Sequence, residues 1–589
     1  MPRTTLRIAI VSLALGLAAD VRTASAHPHP FFRETPDLLL TNAVVLRSAS
    51  EAGDARDART EAVLLADGAI VFCGTNAEAE SLAAARLRAH PERTFERRDL
   101  GGAFVVPGLV DAHGHVAGLG FALVRVVFEG TRSADEVAGR VREAAARSPG
   151  SAWILGRGWD QNDWEKKAFP DRTTLDRVAP DRPVWLRRVD GHAGWANSKA
   201  LALAGVTRET PDPEGGRILR DEQGEPTGIL VDRAMGLVDS KVAAPTAEET
   251  EQALVRALEH CARLGLTGVH DAGIDSQTVE IYRRLESMQR LPVRVFAMLS
   301  DREAERASRL VRASDLEGRA MFRILGIKTY ADGALGSRGA ALLAPYSDEP
   351  GTSGLVVTRG ERLTELGRLC LDARLQLFTH AIGDRGNRTV LDAYEAAARA
   401  KAGSAAAAAP LLEARRFRIE HAQVIAPEDI PRFAKLGVIA SMQPTHCTSD
   451  MPWAPARLGA SRVAGAYAWR ELLVQGARLC FGSDFPVESA DPRLGLYAAV
   501  TTQDADGHPA GGYRPGQRLT ISEALRGFTS DAAYAAFAED ELGRIAPGMR
   551  ADLTVFDRNL VRATSKEILE ARCVLTIVAG RIEFEASGN

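Results

Sequence analysis

Six short apolar segments in the middle of the chain, "LTGVHDAG", "RILGIKTYADG", "LQLFTHAIGD", "RFRIEHAQV", "GVIASMQPTH" and "RLCFGSDFP", run up to polar or chemistry-bearing residues. Helical patterns such as "TAEETEQALVRALEHCARLG" at 246–265 lie between them. Two parallel strands need a crossover long enough to hold a helix, so strands alternating with helices imply a parallel sheet. The most economical closure is an α/β fold of the (β/α)8 TIM barrel type, whose reactive side chains sit where strands end. The stretch "VVPGLVDAHGHVAGLG" at 105–120 supplies a first strand. It ends in His113 and His115, which point the same way if the backbone is extended.

The flanks read differently. From 37 to 106 the chain alternates strands with Asp-Gly and Gly-Gly turns ("DLLLTNAVVL", "AVLLADGAIVFCG", "GGAFVVPGLVD"), and the pattern returns in "ADLTVFDRNL" and "CVLTIVAGRIEFE". Both chain ends are therefore expected to build one β-sandwich domain, 27–106 with 541–589, around a barrel at 107–540. The segment from about 120 to 240 is too long and too rich in Trp, Pro and Gly for one connection, and predicts an inserted cap over the barrel mouth. Its tryptophans, Trp153, Trp159, Trp164, Trp185 and Trp195, suggest an apolar wall for a substrate. The low-complexity "AGSAAAAAP" at 402–410 reads as a surface loop or a helix end.

Charge narrows the partners. With 73 Lys+Arg against 77 Asp+Glu and a formal net charge of −4, the 589 residues show no basic bias of the kind a nucleic-acid partner calls for. A small-molecule substrate is the expectation, with a homodimer left open. Arg3 and Arg7 precede an apolar run from Ile8 to Ala19, and "ASA" at 24–26 offers small residues for cleavage, so residues 1–26 read as a signal peptide. The run is shorter than the roughly 20 residues that span a bilayer. An exported protein, periplasmic or extracellular and free of the membrane after cleavage, is expected. The six cysteines are widely scattered with no paired spacing and read mostly as buried apolar filler.

Strand ends taken in order give His113, His115, Lys328, His380, His421 and Asp484. One strand-end histidine is ordinarily a hydrogen-bonded structural residue. Four of them with an aspartate on one barrel suit a divalent cation, because imidazole nitrogen and carboxylate oxygen are ligands for Zn²⁺ and similar ions. Such an ion lowers the pKa of a bound water from 15.7 to about 7 and polarises a carbonyl. Asp484, in "FGSDFP", is expected to touch the metal and to carry the water's proton to a departing nitrogen as catalytic acid and base.

The HxH of "DAHGH", the histidines of "FTHAIGD" and "IEHAQ" and the aspartate of "GSDFP", framed by split β ends, resemble the amidohydrolase superfamily. Within it, "GWD", "DGHAGWANSKAL", "KTYADGALGSRGA" and "LTISEALRGFTSDAAYAAF" resemble the amidohydrolase 3 group, over roughly residues 37 to 586. The resemblance implies one or two zinc-type ions held by His113, His115, His380, His421 and Asp484. It also implies that Lys328, at the end of the fourth barrel strand, is N-carboxylated and bridges two metals with a catalytic part. The rival is a lysine paired with Asp332 or holding substrate. His192, Trp159 and Asp160 in the cap, with Asp332 and Arg338 after the fourth strand, are the substrate-binding candidates, Arg338 as a clamp for a carboxylate or an amide oxygen. His270 and His446 are expected near the mouth, outside the ligand set. The activity implied is hydrolysis of a non-peptide C–N bond of amide, N-acyl or N-formyl type. Ester, lactone or phosphoester hydrolysis on the same site, or an inactive binding or regulatory protein, are the alternatives.

Overall fold

The computed structural model describes residues 36–51, 60–147, 153–317 and 320–587. The expected leader at 1–26 lies outside them. Eight strands form one sheet in chain order, each parallel to the next: β1 Leu109–Gly114, β2 Leu266–Ile274, β3 Arg294–Ser300, β4 Phe322–Tyr330, β5 Gln376–Ala381, β6 Arg418–His421, β7 Ile439–Met442 and β8 Leu479–Phe481. Their residues are buried almost without interruption, as expected of strands covered on both faces. Just past β8 the ring closes. Gly114 bridges in parallel to Phe485, the Asp484 N–H donates to the His113 carbonyl at 2.7 Å, and the His115 N–H to the Phe485 carbonyl at 2.7 Å. β3 is absent from the six segments singled out in the sequence. "RVFAMLS" ends in a serine and carries no chemistry, so attention to polar strand ends passes over it.

The crossover helix Ala247–Arg263 opens with a capping box between Thr246 and Glu249 and buries Leu254, Ala257, Leu258 and Cys261 against the barrel. At "AGSAAAAAP", Gly403 ends the helix Asp384–Ala402 at φ 74° and Ser404 caps the next one, Ala405–Arg415, so the alanines are helical.

Both chain ends meet in two sheets. Asp37–Thr41, Ala62–Ala66, Ala69–Gly74 and Phe95–Asp99 make one; Val44–Val45 and Phe104–Pro107 join Leu553–Phe556, Cys573–Val578 and Arg581–Glu585 in the other. Leu38, Leu40, Val63 and Leu65 meet Val105, Leu553, Val555 and Ile577 between them. The N-terminal part is not all strand. Residues Asn76–Ala89 are helical because Thr75 and Glu78 form a capping box ahead of an alanine-rich run, which buries Ala79 and Ala83 beside Leu39 and Leu64.

The cap is a six-stranded sheet from Val126–Val127 to Pro226–Asp232, inserted between β1 and the Ala247–Arg263 helix. Its tryptophans fill it. Trp159, Trp164 and Trp195 contact one another at ring separations of 5.9 to 6.4 Å, and Trp185 packs with Ile218 and Leu230 in a second cap core.

Barrel and sandwich are joined by a buried ion pair. Arg294, at the start of β3, donates from Nε and Nη2 to the two carboxylate oxygens of Asp552 at 2.6 and 3.0 Å, and the Ala579 N–H donates to the same carboxylate. Removing one member strands the other charge in the interior. Asp552→Ala is therefore expected to lower stability by about 3–5 kcal/mol, read as a lower urea midpoint.

A candidate metal centre at the barrel mouth

Three residues of the site lie in strained backbone. Asp484 has φ +61°, His421 +72° and Ala422 +43°, a region that costs a non-glycine residue on the order of 1–3 kcal/mol. The turn at the end of β6 has a geometric effect. Along a strand, neighbours face opposite sides, yet consecutive Glu420 and His421 both reach the centre, because the left-handed turn interrupts the alternation.

Glu420 organises the first ligand. Its Oε2 lies 2.5 Å from His113 Nδ1, and both side chains are fully buried. Arg418, two residues earlier on β6, donates to both Glu420 oxygens at 2.9 and 3.1 Å, to the Ala112 carbonyl, to Ser441 and to His270 Nδ1. Burial alone would raise the Glu420 carboxyl, but Arg418 and His113 hold it below the ordinary carboxylate range. An ionised carboxylate only accepts, so His113 carries its hydrogen on Nδ1 and turns a lone pair outward from Nε2.

The same logic fixes two more rings. His115 Nδ1 lies 3.0 Å from the Ala272 carbonyl, and His421 Nδ1 lies 2.8 Å from Gln443 Oε1. Both partners are acceptors, so Nε2 is again the lone-pair nitrogen. Burial presses His113, His380 and His421 below the ordinary imidazole value, which keeps them neutral, the form in which imidazole binds metals.

These lone pairs converge on Asp484. Its Oδ1 is 3.1 Å from His115 Nε2 and 3.5 Å from His113 Nε2. Ligand atoms of His113, His421 and Asp484 lie within 4.8 Å of one another. Burial would raise the Asp484 carboxyl, yet the surrounding imidazoles hold it well below its usual value. Lone pair faces lone pair here, and both His113 Nε2 and Asp484 Oδ1 are buried without a hydrogen-bond partner. Alone this arrangement is repulsive; a shared cation satisfies all of it, so the donor set fits a divalent ion.

His380 on β5 stands beside the cluster, its ring 4.6 Å from that of His421, with Nε2 3.5 Å from Asp332 Oδ1. Lys328 on β4 is buried, its Nζ 3.6 Å from the centre of the Tyr330 ring and without a hydrogen-bond acceptor. Two cavities meet at this point, both bordered by His192, His380, His421 and Asp484. One, of about 720 Å³, opens toward Asp160, Trp453 and Glu488. The other, of about 1020 Å³, also touches His113, His115, Lys328 and Tyr330.

Of the substrate-binding candidates, His192 reaches both cavities and Asp160 reaches the smaller one. His192 Nδ1 lies 2.6 Å from Asp232 Oδ1. Three candidates lie elsewhere. Trp159 is buried in the cap core with its indole N–H on the Leu186 carbonyl, because an aromatic core needs it more than the cavity does. None of the five cap tryptophans borders either cavity; Trp453, from outside the cap, does. Arg338 is neutralised by Asp348 and Glu349 at 2.9 and 3.2 Å. Asp332 accepts the backbone N–H groups of Ala341, Ile382 and Gly383 and so holds the loops after β4 and β5, while burial pushes its pKa up to about 7. His446 borders the smaller cavity, its Nε2 3.8 Å from Asp484 Oδ2. His270 is fully buried inside the barrel against Arg418 rather than at the mouth.

Sequence reasoning missed Glu420, Arg418 and Gln443. The signal was present: "RIEH" puts two opposite charges on one face of a strand that is otherwise interior.

Comparison with known proteins agrees with this geometry. A family model described as the amidohydrolase family matches residues 96–584. The YtcJ protein of Bacillus subtilis (strain 168) is 33% identical over 536 residues, covering 90% of this chain and 97% of its own. The N-substituted formamide deformylase of Arthrobacter pascens is 29% identical, covering 94% and 99%. Among solved structures, an uncharacterized metal-dependent hydrolase from Pyrococcus horikoshii OT3 superposes with a TM-score of 0.70 at 27% identity, over 90% of this chain and 99% of that one.

Because the Glu420 carboxylate sets the His113 tautomer, Glu420→Gln is expected to weaken metal affinity roughly 10- to 100-fold. Metal titration of the purified apo variant beside the parent protein measures it.

Proposed function

From its membership of the amidohydrolase family, which makes this chain a hydrolase, we propose that it cleaves a non-peptide C–N bond of amide, N-acyl or N-formyl type. The observation that carries this reading is the convergence of three imidazole lone pairs on the Asp484 carboxylate at a mouth shared by two cavities. His113, His115, His380, His421 and Asp484 would hold a divalent ion, with Zn²⁺ the ion we assign. When bound, that ion supplies a Lewis-acid charge that polarises a carbonyl oxygen and acidifies water.

The chain's own groups do the remaining work. Asp484 accepts the proton of the attacking water on a carboxylate oxygen and delivers it to the departing nitrogen, which leaves as a neutral amine. Asp484 is held for this by its strained backbone and by the His113 carbonyl that its N–H donates to. Glu420, Ala272 and Gln443 keep the three imidazoles turned toward the centre. Lys328 has a buried amine with no acceptor, which supports N-carboxylation of Nζ and a second ion. Support for an amide rather than another bond comes from the likeness to a deformylase of N-substituted formamides along nearly the whole chain. The leader-like first 26 residues support an exported protein.

Purified protein is expected to contain a divalent metal in one or two equivalents, to lose activity to a chelator and to regain it with Zn²⁺. In a panel of N-substituted formamides, N-acyl amines, esters, a lactone and a phosphoester, the first two classes are expected to turn over fastest. Asp484→Asn should reduce kcat on them by roughly 10²- to 10⁴-fold. Faster turnover of the oxygen esters, or full activity in the Asp484 variant, would sink the reading.

A further inference from the structure

The two cavities differ in charge. The smaller one carries Glu129, Asp160, Asp163, Asp450 and Glu488 against Arg125 and Arg188, with burial pushing Asp450 up to about 7 and Glu488 up to about 8, and Arg188 is already bonded to Asp160 and Asp190. In the larger one most charges cancel locally. Arg187 pairs with Asp239, Glu214 with Arg359, and Asp232 with His192. What is left over there is mainly basic, set against the carboxylates of Asp301 and Asp484. Arg233 and Arg302 are exposed at the rim, and Arg157 lies further in; none of the three has an ion-pair partner among the described residues.

Arg157 differs from the arginines around it. It lies on the cap strand Ile154–Trp159 and is partly buried. One N–H, from Nη2, goes to the Val189 carbonyl at 2.5 Å, and Nε is buried with no acceptor at all. A guanidinium offers five donors in a fixed planar fork. Glu129, Asp484 and Asp190 attract this guanidinium at longer range, but an unmatched donor of a charged group is costly, and a ligand carboxylate on the cavity side of the fork would offset that cost. The cavity bordered by this fork is the same one that His113, His115, Lys328, His380 and Asp484 border.

We propose that Arg157 is a specificity-determining residue that receives the carboxylate of the substrate, and that the natural substrate is an N-acyl or N-formyl derivative of an amino carboxylic acid. The planar fork matches a carboxylate, and binding it holds the neighbouring amide at the metal centre. Arg233 and Arg302 at the rim draw the anion toward this cavity rather than toward the acidic one. Arg338, the arginine that the sequence pointed to for this task, is neutralised by Asp348 and Glu349, and Arg157 takes its place.

This inference rests on the amide-hydrolase reading, and a matched substrate pair separates the two. The metal-loaded full chain is assayed with N-formylphenylalanine and with its neutral carboxamide, as parent, Arg157→Met and Arg157→Lys. The parent is expected to prefer the acid. The ratio of kcat/KM for acid to carboxamide should fall roughly 10- to 100-fold in Arg157→Met, mostly through KM for the acid, and by less in Arg157→Lys, which keeps the charge but loses the fork. A ratio that stays at the parent value in both variants, including a loss shared equally by the two substrates, overturns the clamp and leaves the amide reading standing. So does a parent enzyme indifferent to the carboxylate. Failure of the parent to cleave either compound, while it turns over an ester or a lactone, overturns both.

Discussion

The chain of contacts from Arg418 through Glu420 to His113 is the interaction on which the rest of the site depends. A charged pair in a barrel interior is poor value as a stabiliser, because taking both ions out of water offsets most of their attraction. Its use here is directional. Arg418 reaches β1 at the Ala112 carbonyl, β2 at His270 and β7 at Ser441, so a single side chain ties three strands to β6. Held this way, Glu420 stays ionised, and an ionised Glu420 leaves His113 only one tautomer. The outward lone pair at the barrel mouth is thus decided by a guanidinium lying below it.

Backbone geometry completes what the side chains begin. Asp484 and His421 occupy a conformation that most residues avoid, His421 at the end of β6 and Asp484 just past β8. At β8 the unusual φ lies where the strand hands over to the bond that closes the ring on His113. Closure of the barrel and placement of the carboxylate are therefore one event. Asp111 supports the same corner, accepting the His113 N–H and the N–H and hydroxyl of Ser483.

Much of this is legible in the sequence itself. Alternation of strand and helix yields the barrel, and strand-end histidines and Asp484 mark its mouth, because periodicity and residue type are local properties. What stayed hidden depends on three-dimensional neighbours. Tryptophans read the same whether they wall a cavity or fill a cap, and only packing shows that Trp159 and Trp195 turn inward. Arg338 and Arg157 are equally basic on paper; the difference is that Asp348 and Glu349 pair with the first, while the second meets a backbone carbonyl and keeps Nε without an acceptor. The helix Asn76–Ala89 was masked because strands flank it closely, although Thr75 and Glu78 spelled its start.

The five-stranded terminal sheet has a consequence for how the molecule comes into being. Val105 takes its antiparallel partner from Val555, so the strand Phe104–Pro107 has one open edge until Leu553–Phe556 has been made. An unpaired apolar edge invites intermolecular pairing, and contacts so distant in sequence form slowly. The barrel is thus begun beside a sheet that a segment far along the chain must finish, and the nascent chain carries an exposed pairing edge for as long as that wait lasts.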